Sequence, residues 1–505
     1  MRLPFANYIK AHHISGAAVC AGGLVAAIVF FMAGAGVRLL LGPVSLGPFA
    51  GTLAGAIQQA LPGITLTYDQ AAIEWSRDEG RVNLVVLGAR ILDSSKRVVA
   101  QAPKADIDLA ARPFLSGHIL VQRITLVGVQ LSLVHMKGGG IRLGAEGDKS
   151  GNDVLARLND VIEAKGSSTS GLQSFAVRNA HLTLFDETSG LNVIAPHASL
   201  TLSAKGNAIA VHSDADVMIS GSLAHIKADV TLPPDKGPIN SSVLVTGLDL
   251  RALAANAALF KPLKNIALSV NLASHFIVAP GAHVTAADFD LTAAGALPLA
   301  ALKGGVLHVR QLHLNGAYDG IKNHLALGQA SLDAREGIVH LKGGADFHYD
   351  KGALASISAG LASSRIVLDM PGVFAQGVGF QSLQIDGDYQ FASRMFDIKR
   401  ASLTAPAFAL SANGSITLGA EGQAPGLALN GKLAPLPVRT LLRYWPLSVV
   451  SGARDWIVAN IFAGSLGPLT FESHIPAGLL DQEILPDDAL KIVARGLDKE
   501  DRAAA

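Results

Sequence analysis

Over long stretches of this chain apolar and polar residues alternate one for one, and no other feature constrains the fold as tightly. Ile226, Ala228, Val230 and Leu232 alternate with Lys227, Asp229 and Thr231, and Ile266, Leu268, Val270 and Leu272 alternate with Ala267, Ser269, Asn271 and Ala273. Successive side chains of a strand point to opposite faces, so a period of two sends the first set of each run to one face. Half-buried antiparallel strands with one apolar and one polar face follow. We expect Ile226, Val230, Leu232, Ile266, Leu268, Val270 and Leu272 to share one continuous apolar surface.

A second regularity concerns glycine. Two apolar residues at alternate positions precede a Gly in Ile124-Thr-Leu126-Val-Gly128, Val243-Leu-Val245-Thr-Gly247, Leu312-His-Leu314-Asn-Gly316 and Leu383-Gln-Ile385-Asp-Gly387, after which the apolar set slips by one. Such a phase change reads as a bulge or sharp bend that lets a sheet curl while keeping one face apolar. Gly247, Gly316 and Gly387 lie 69 and 71 residues apart. That spacing suggests repeated groups of strands in an elongated sheet, although a Gly-rich strand protein also produces such alignments by chance.

Composition sets the outer bounds. A single core stops growing near about 250–300 residues, so 505 residues imply several domains or an array. Charged residues are 16% and hydrophobic residues 50%, and 41 basic against 40 acidic residues leave a net charge of +1, which gives no electrostatic footprint for nucleic acid. Mean hydropathy is +0.36, more than one apolar helix supplies, so the body too must place apolar surface somewhere. The one cysteine, Cys20, excludes internal disulfides and CxxC zinc sites.

Between Lys10 and Arg38 no residue is formally charged, and the run from Ile14 to Val37 is apolar or small almost throughout. A bilayer core of about 30 Å needs roughly 20 such residues in a helix. Residues 14–41 are therefore read as a single transmembrane anchor, which includes Val19, Leu24, Ile28, Phe30 and Phe31. A cleaved signal peptide has a shorter apolar region of about 7–15 residues. Arg2 and Lys10 keep residues 1–13 cytoplasmic and send the body across the membrane.

Three segments break the alternation. Phe49, Leu53, Ile57 and Leu61 share a face of an amphipathic helix at 48–62, which stops at Pro62-Gly63. Leu155, Leu158 and Ile162 share a helical face within 151–171, which ends in a polar linker. Residues 436–466 read as a Trp-rich helical segment whose Trp445 and Trp456 form an aromatic cluster, packed in a core or presented to a lipid edge or partner. Between these, 64–150 and 172–435 are the strand-forming parts. The sixteen His residues are scattered through strand patterns, as His308 and His313 are, and point to the polar face. No HExxH, GxSxG or GxxxxGK[ST] occurs. We expect no catalytic residue, no metal ligand set and no cofactor.

Specific segments resemble the AsmA-like superfamily of bacterial envelope proteins. WSRDEGRVNLVVLGARILD, from Trp75, is similar to its opening strand pair, and Leu115, Gly117, Ile119, Ile124, Leu126, Gly128, Val129, Leu131 and Leu133 match its "Leu-x-Gly-x-Ile … Ile-x-Leu-x-Gly-Val-x-Leu-x-Leu" block. The stretch from Arg443 to Leu466 is similar to the Trp-Pro … Ala-Arg-x-Trp-Ile-x-x-Asn-Ile segment of the long YhdP branch. The resemblance implies a mainly β fold: one transmembrane helix, then an elongated, twisted antiparallel β-groove of repeated strand groups with a few short helices. It also implies an inner-membrane protein with a periplasmic body that carries phospholipid between inner and outer membranes without a chemical step. The seven apolar residues at 226–272 would then face lipid in the groove. An alternative is a structural or regulatory scaffold that binds an envelope membrane protein along its sheet edge. Long members of that branch continue well beyond the Trp-rich segment, so 467–505 is read as an incomplete segment, poorly ordered at its end.

Overall fold

The computed structural model describes residues 44–45, 65–76, 81–92, 98–109, 121–137, 141–143 and 490–494, together with 172–479 apart from breaks at 234–236, 300–301, 303, 281–282, 420–422 and 448–450. The expected anchor at 14–41 with its five named residues, the helix at 48–62, the helix and linker at 151–171, and Leu115, Gly117 and Ile119 lie outside the described residues. Among the described residues no helix is long and apolar enough to cross a membrane. The chain is mainly β and divides into two units, one comprising residues up to 188 with 194–210, the other 189–193 with 211–505.

The first unit contains β1 (Val44–Ser45), β2 (Thr65–Thr67), β3 (Gln70–Ser76), β4 (Arg81–Leu92), β5 (Val98–Leu109), β6 (Val121–Val127), β7 (Gln130–His135), β8 (Ile141–Leu143), β9 (Ser174–Asp186) and β10 (Asn192–Lys205). Strands β3 to β6 form an antiparallel meander. Strand β9 runs parallel to both β6 and β7, with Arg123 opposite Ser174 and Gln130 opposite His181. The sheet is therefore mixed, which corrects the expectation of a wholly antiparallel one. A parallel pair needs a crossover connection in place of a tight hairpin, and the chain between β7 and β9 is long enough for one. Gly128, at φ +72°, separates β6 from β7 without shifting their register against β9, and its N–H donates to the Arg178 carbonyl at 3.0 Å. Across these strands Leu84, Ile107, Ile124 and Phe175 form one row, none more than 6% exposed. Each such side chain contributes about 1.5–3 kcal/mol by leaving water. This face is a closed core.

The second unit is an antiparallel ladder in which strands follow one another in chain order: β11 (Ala208–Ile219), β12 (Ser222–Leu232), β13 (Ile239–Asp249), β14 (Ala267–Ala279), β15 (His283–Pro298), β16 (Val306–Asp319), β17 (His324–Ala334), β18 (Gly337–Asp350), β19 (Ala353–Leu368), β20 (Val378–Phe380), β21 (Ser382–Gln390), β22 (Met395–Ala405), β23 (Phe408–Thr417) and β24 (Gly426–Leu433). The hairpin pair β25 (Leu436–Pro437) and β26 (Ser465–Leu466) brackets a helical excursion. The ladder then resumes with β27 (Leu469–Ile475) against β24 and ends at β28 (Leu490–Ala494). Strands β20 and β21 both pair with β19, along different parts of it.

The register shifts beside Gly247, at Gly316 and at Gly387, the three sites singled out by spacing. Gly247 has φ +74°, a conformation that costs other residues roughly 1–2 kcal/mol. Gly316 is required by close approach instead, because a β-carbon there would come within 2.6 Å of the Ala326 carbonyl oxygen and 3.1 Å of the Phe289 ring. Further shifts fall at Ala293/Gly295, Leu327/Ala330 and Ile398/Ala401, so bulges recur more often than the 69- and 71-residue spacing and do not delimit strand groups.

Two helical insertions cover parts of the ladder. Helix α1 (Leu250–Asn256) is capped by Asp249, whose Oδ1 accepts from the Arg251 N–H at 2.8 Å. Leu250 packs against the buried cluster of Leu268, Val270, Ala293 and Val309. Helix α2 (Val438–Tyr444) buries Val438 and Leu441, and Leu441 joins Ile366, Phe380, Phe408 and Leu433 in a second cluster, with Tyr444 and Trp445 packed at its margin. Helix α3 (Ser451–Asn460) follows.

Candidate functional site

The registers of the second unit align apolar side chains into rows that cross the strands. One runs Ile226, Val245, Leu272, Leu291, Leu314, Ala330 and Leu341 from β12 to β18. A second runs Phe289, Gly316, Leu327, Gly343, Leu361 and Ile385 from β15 to β21, and continues through Ala401, Ala412 and Gly431 to Phe471 on β27. At about 4.8 Å per strand, the path from β12 to β27 covers roughly 60 Å along the sheet. Small hydroxyls interrupt it, as at Ser363, whose hydroxyl is satisfied by donating to the Arg365 carbonyl at 3.1 Å.

Exposure separates this surface from the core of the first unit. Nearly every large side chain of the two rows is half-buried, neither sealed nor fully in water. The closed clusters beside α1 and α2 are local. Side chains of this type next to water are what a site for long apolar groups requires, since such sites are largely apolar and already formed.

The seven residues expected on this face fall into two groups. Leu268 and Val270 are 5% and 7% exposed and belong to the closed cluster under α1, with Ile266 at its margin. Ile226 and Leu272 lie in the half-exposed row, while Val230 is opposite Ser241, which is opposite Phe276 in turn. Leu232, at the end of β12, is half-buried. Leu291, Leu314, Leu327, Leu361 and Ile385 also belong to the face. Each lies in an alternating run, but the interspersed Ala and Gly weaken the signal by which they could have been found.

The opposite face is polar and internally paired. His324 Nδ1 lies 2.6 Å from Asp346 Oδ1 directly across β17–β18, and Arg400 Nη2 donates to Asp386 Oδ2 at 2.6 Å across β21–β22. Asp388 is held below the ordinary aspartate range by hydrogen bonds from Lys399 and Ser358, against a smaller opposing effect of burial. Histidines expected on this face are partnered there too: His313 Nε2 is 3.0 Å from Asp290, and His308 Nδ1 is 2.8 Å from Glu336. Shallow depressions of about 500 and 440 Å³ are lined by residues of the second apolar row together with polar neighbours: Ala401, Gly431 and Phe471 with Asn430 and Lys432 in one, Leu327, Gly343 and Leu361 with Lys342 and Gln384 in the other. Among the described residues no group of three or more His, Cys, Asp and Glu side chains is placed to hold a metal ion.

Residues 436–466 depart from expectation. Trp445 packs at the second cluster, but Trp456 is 61% exposed, so the two tryptophans do not form one aromatic cluster. The aromatic group here is instead Phe380, Phe408 and Tyr444, with ring centroids 4.7–6.1 Å apart. No family model matches the chain, and no characterised protein aligns with it significantly.

Proposed function

We propose that this chain carries phospholipid acyl chains along the half-exposed apolar face of its second unit, as a non-catalytic lipid-transfer protein of the cell envelope. The observation that carries the reading is the succession of cross-strand apolar rows between β12 and β27, left partly open to water. Water excludes an acyl chain by about 0.8 kcal/mol per methylene, so sixteen carbons cost on the order of 12 kcal/mol. A lipid crossing an aqueous space needs apolar contact at every step, and rows repeated at each strand supply it. The resemblance to AsmA-like proteins supports the same role, with residues 14–41 as the inner-membrane anchor and the body in the periplasm.

The test is photocrosslinking of the full chain. Crosslinkers at Leu272 and Leu327 should capture phospholipid, and ones at Ser269 and Lys342 on the polar face should not. Mass spectrometry of the purified protein should then release bound phospholipid. Equal labelling of the two faces, or a stoichiometric protein partner without lipid, would remove the lipid reading and favour a scaffold.

A further inference from the structure

The half-exposed face of the second unit has two unlike margins. Helices α1 and α2 enter where β13 and β24 end, and the antiparallel registers put the starts of β14, β18, β21 and β23 on that same side. There Ile366, Phe380, Phe408 and Leu433 form a closed cluster with Leu441 of α2, and every buried member of it is apolar. The other margin, at the turns after β18 and β21, stays open: Tyr349 and Phe391 are 52% and 41% exposed.

A strip of aromatic side chains runs along this open margin. Phe347, Ile357, Tyr389 and Phe396 are successive cross-strand partners from β18 to β22. Two residues nearer the turns, Tyr349 and Phe391 follow Phe347 and Tyr389 on the same face, and the rings of Tyr389 and Phe391 meet edge-on at 5.0 Å. The Tyr318 ring meets Phe347 at 6.0 Å, and its hydroxyl, beside that of Tyr349, donates to Asn323 Oδ1 at 3.3 Å. Lys351 and Arg394 lie in the turns, with Asp350 beside the first, and none of the three forms an ion pair among the described residues. Rings and hydroxyls, more than net charge, define this margin.

Tyrosine suits a boundary where one end of the ring is apolar and the other wet. From the closed margin to the open one, the face along β18 reads Val339, Leu341, Gly343, Ala345, Phe347 and Tyr349. On β21 the six residues from Leu383 to Tyr389 span about 20 Å. One leaflet's share of a bilayer core is about 15 Å, so this width takes one acyl chain laid along the strands and not two end to end. Such a chain leaves its polar end at one margin, and the closed cluster has no polar partner to offer it. We infer that phospholipid lies along the strands here, its methyl ends against the Phe380–Phe408 cluster and its glycerol-phosphate end at the strip of Tyr318, Tyr349, Tyr389 and Phe391. This rests on the lipid reading above and adds an orientation to it: each lipid moves sideways, from strand to strand, with its headgroup kept over one row of turns.

The experiment incubates the purified full chain with one of two photoactivatable lipids and maps the labelled peptides after illumination. One is phosphatidylcholine with a diazirine at the methyl end of an acyl chain; the other is phosphatidylethanolamine with the diazirine on the headgroup nitrogen. The acyl probe should label β20 and α2, and the headgroup probe the turns around Lys351 and Arg394. Tyr349→Ala with Phe391→Ala should lower the ratio of headgroup labelling at the turns to acyl labelling at β20 about fivefold. Reversed labelling, or labelling of both margins equally by both probes, overturns the orientation and leaves lipid carriage standing. An unchanged ratio in the double variant overturns the role of the strip. If neither probe labels the second unit, lipid carriage fails and the orientation with it.

Discussion

The ring of Phe471 fills the space over Gly431, directly opposite it on the β24–β27 pair, where a β-carbon at residue 431 would overlap the ring atoms. Phe289 stands in the same relation to Gly316, and Phe396 crowds Gly387, with the ring Cζ 2.8 Å from a β-carbon placed there. Aromatic cover of a strand glycine restores packing that the missing side chain would lose. Gly431→Ala should therefore destabilise the second unit by about 1–3 kcal/mol. The check is denaturant unfolding, and combining the change with Phe471→Leu should recover much of the loss because the overlap disappears.

Charge placed on the apolar face should act differently at two neighbouring positions. Val270 is sealed under α1, so Val270→Asp buries a carboxylate without a partner, costs several kcal/mol and removes the protein from the cell. Leu272 lies in the half-exposed row, where a carboxylate keeps part of its hydration. Leu272→Asp should accumulate normally and lose bound phospholipid. Immunoblotting with lipid mass spectrometry distinguishes the two, and a Leu272→Asp protein that retains its lipid would count against the groove.

Glu336 gives the second unit a defined pH response. Burial opposes its charge, but hydrogen bonds from the His308 ring and backbone N–H, at 2.8 and 2.9 Å, and from Arg335 outweigh this and lower its pKa to about 2. A lowered carboxylate pKa stabilises the fold fully above its unfolded value, near 4.5, and the benefit is lost as pH falls toward about 2. Glu336→Gln should cost about 1–3 kcal/mol at pH 7, and the difference from the parent should shrink between pH 4.5 and pH 2. Denaturant titrations across that range measure it.

The proposed topology makes a simple prediction. With residues 14–41 as an anchor and the N-terminus cytoplasmic, protease added to spheroplasts should digest the body and spare an N-terminal tag. Protection of the body would place it on the other side of the membrane.

Alternation and glycine placement made much of the ladder legible in the sequence. The runs at 226–232 and 266–273 fall in or beside β12 and β14, and Gly128, Gly247, Gly316 and Gly387 all fall at irregular points of the strands. The parallel pairing of β9 was not legible, because it depends on a crossover and not on local pattern. Nor does alternation distinguish Ile124, which is sealed, from Leu272, which is half open; the difference lies in what packs over each face. Trp456 misleads in the same way, since an aromatic residue in a helical pattern reads as core until its neighbours are known.

Between β12 and β19 each strand pairs with the one just before it and the one just after it, whereas the β6–β9 pair joins residues 51 positions apart, as Arg123 and Ser174 show. Short loops close at small entropic cost, so the ladder has low contact order and can assemble hairpin by hairpin as the chain emerges. No distant segment is needed to complete any of these steps. The reach of the apolar face then depends on strand number, and gaining or losing one hairpin alters it by about 10 Å while leaving every other register intact.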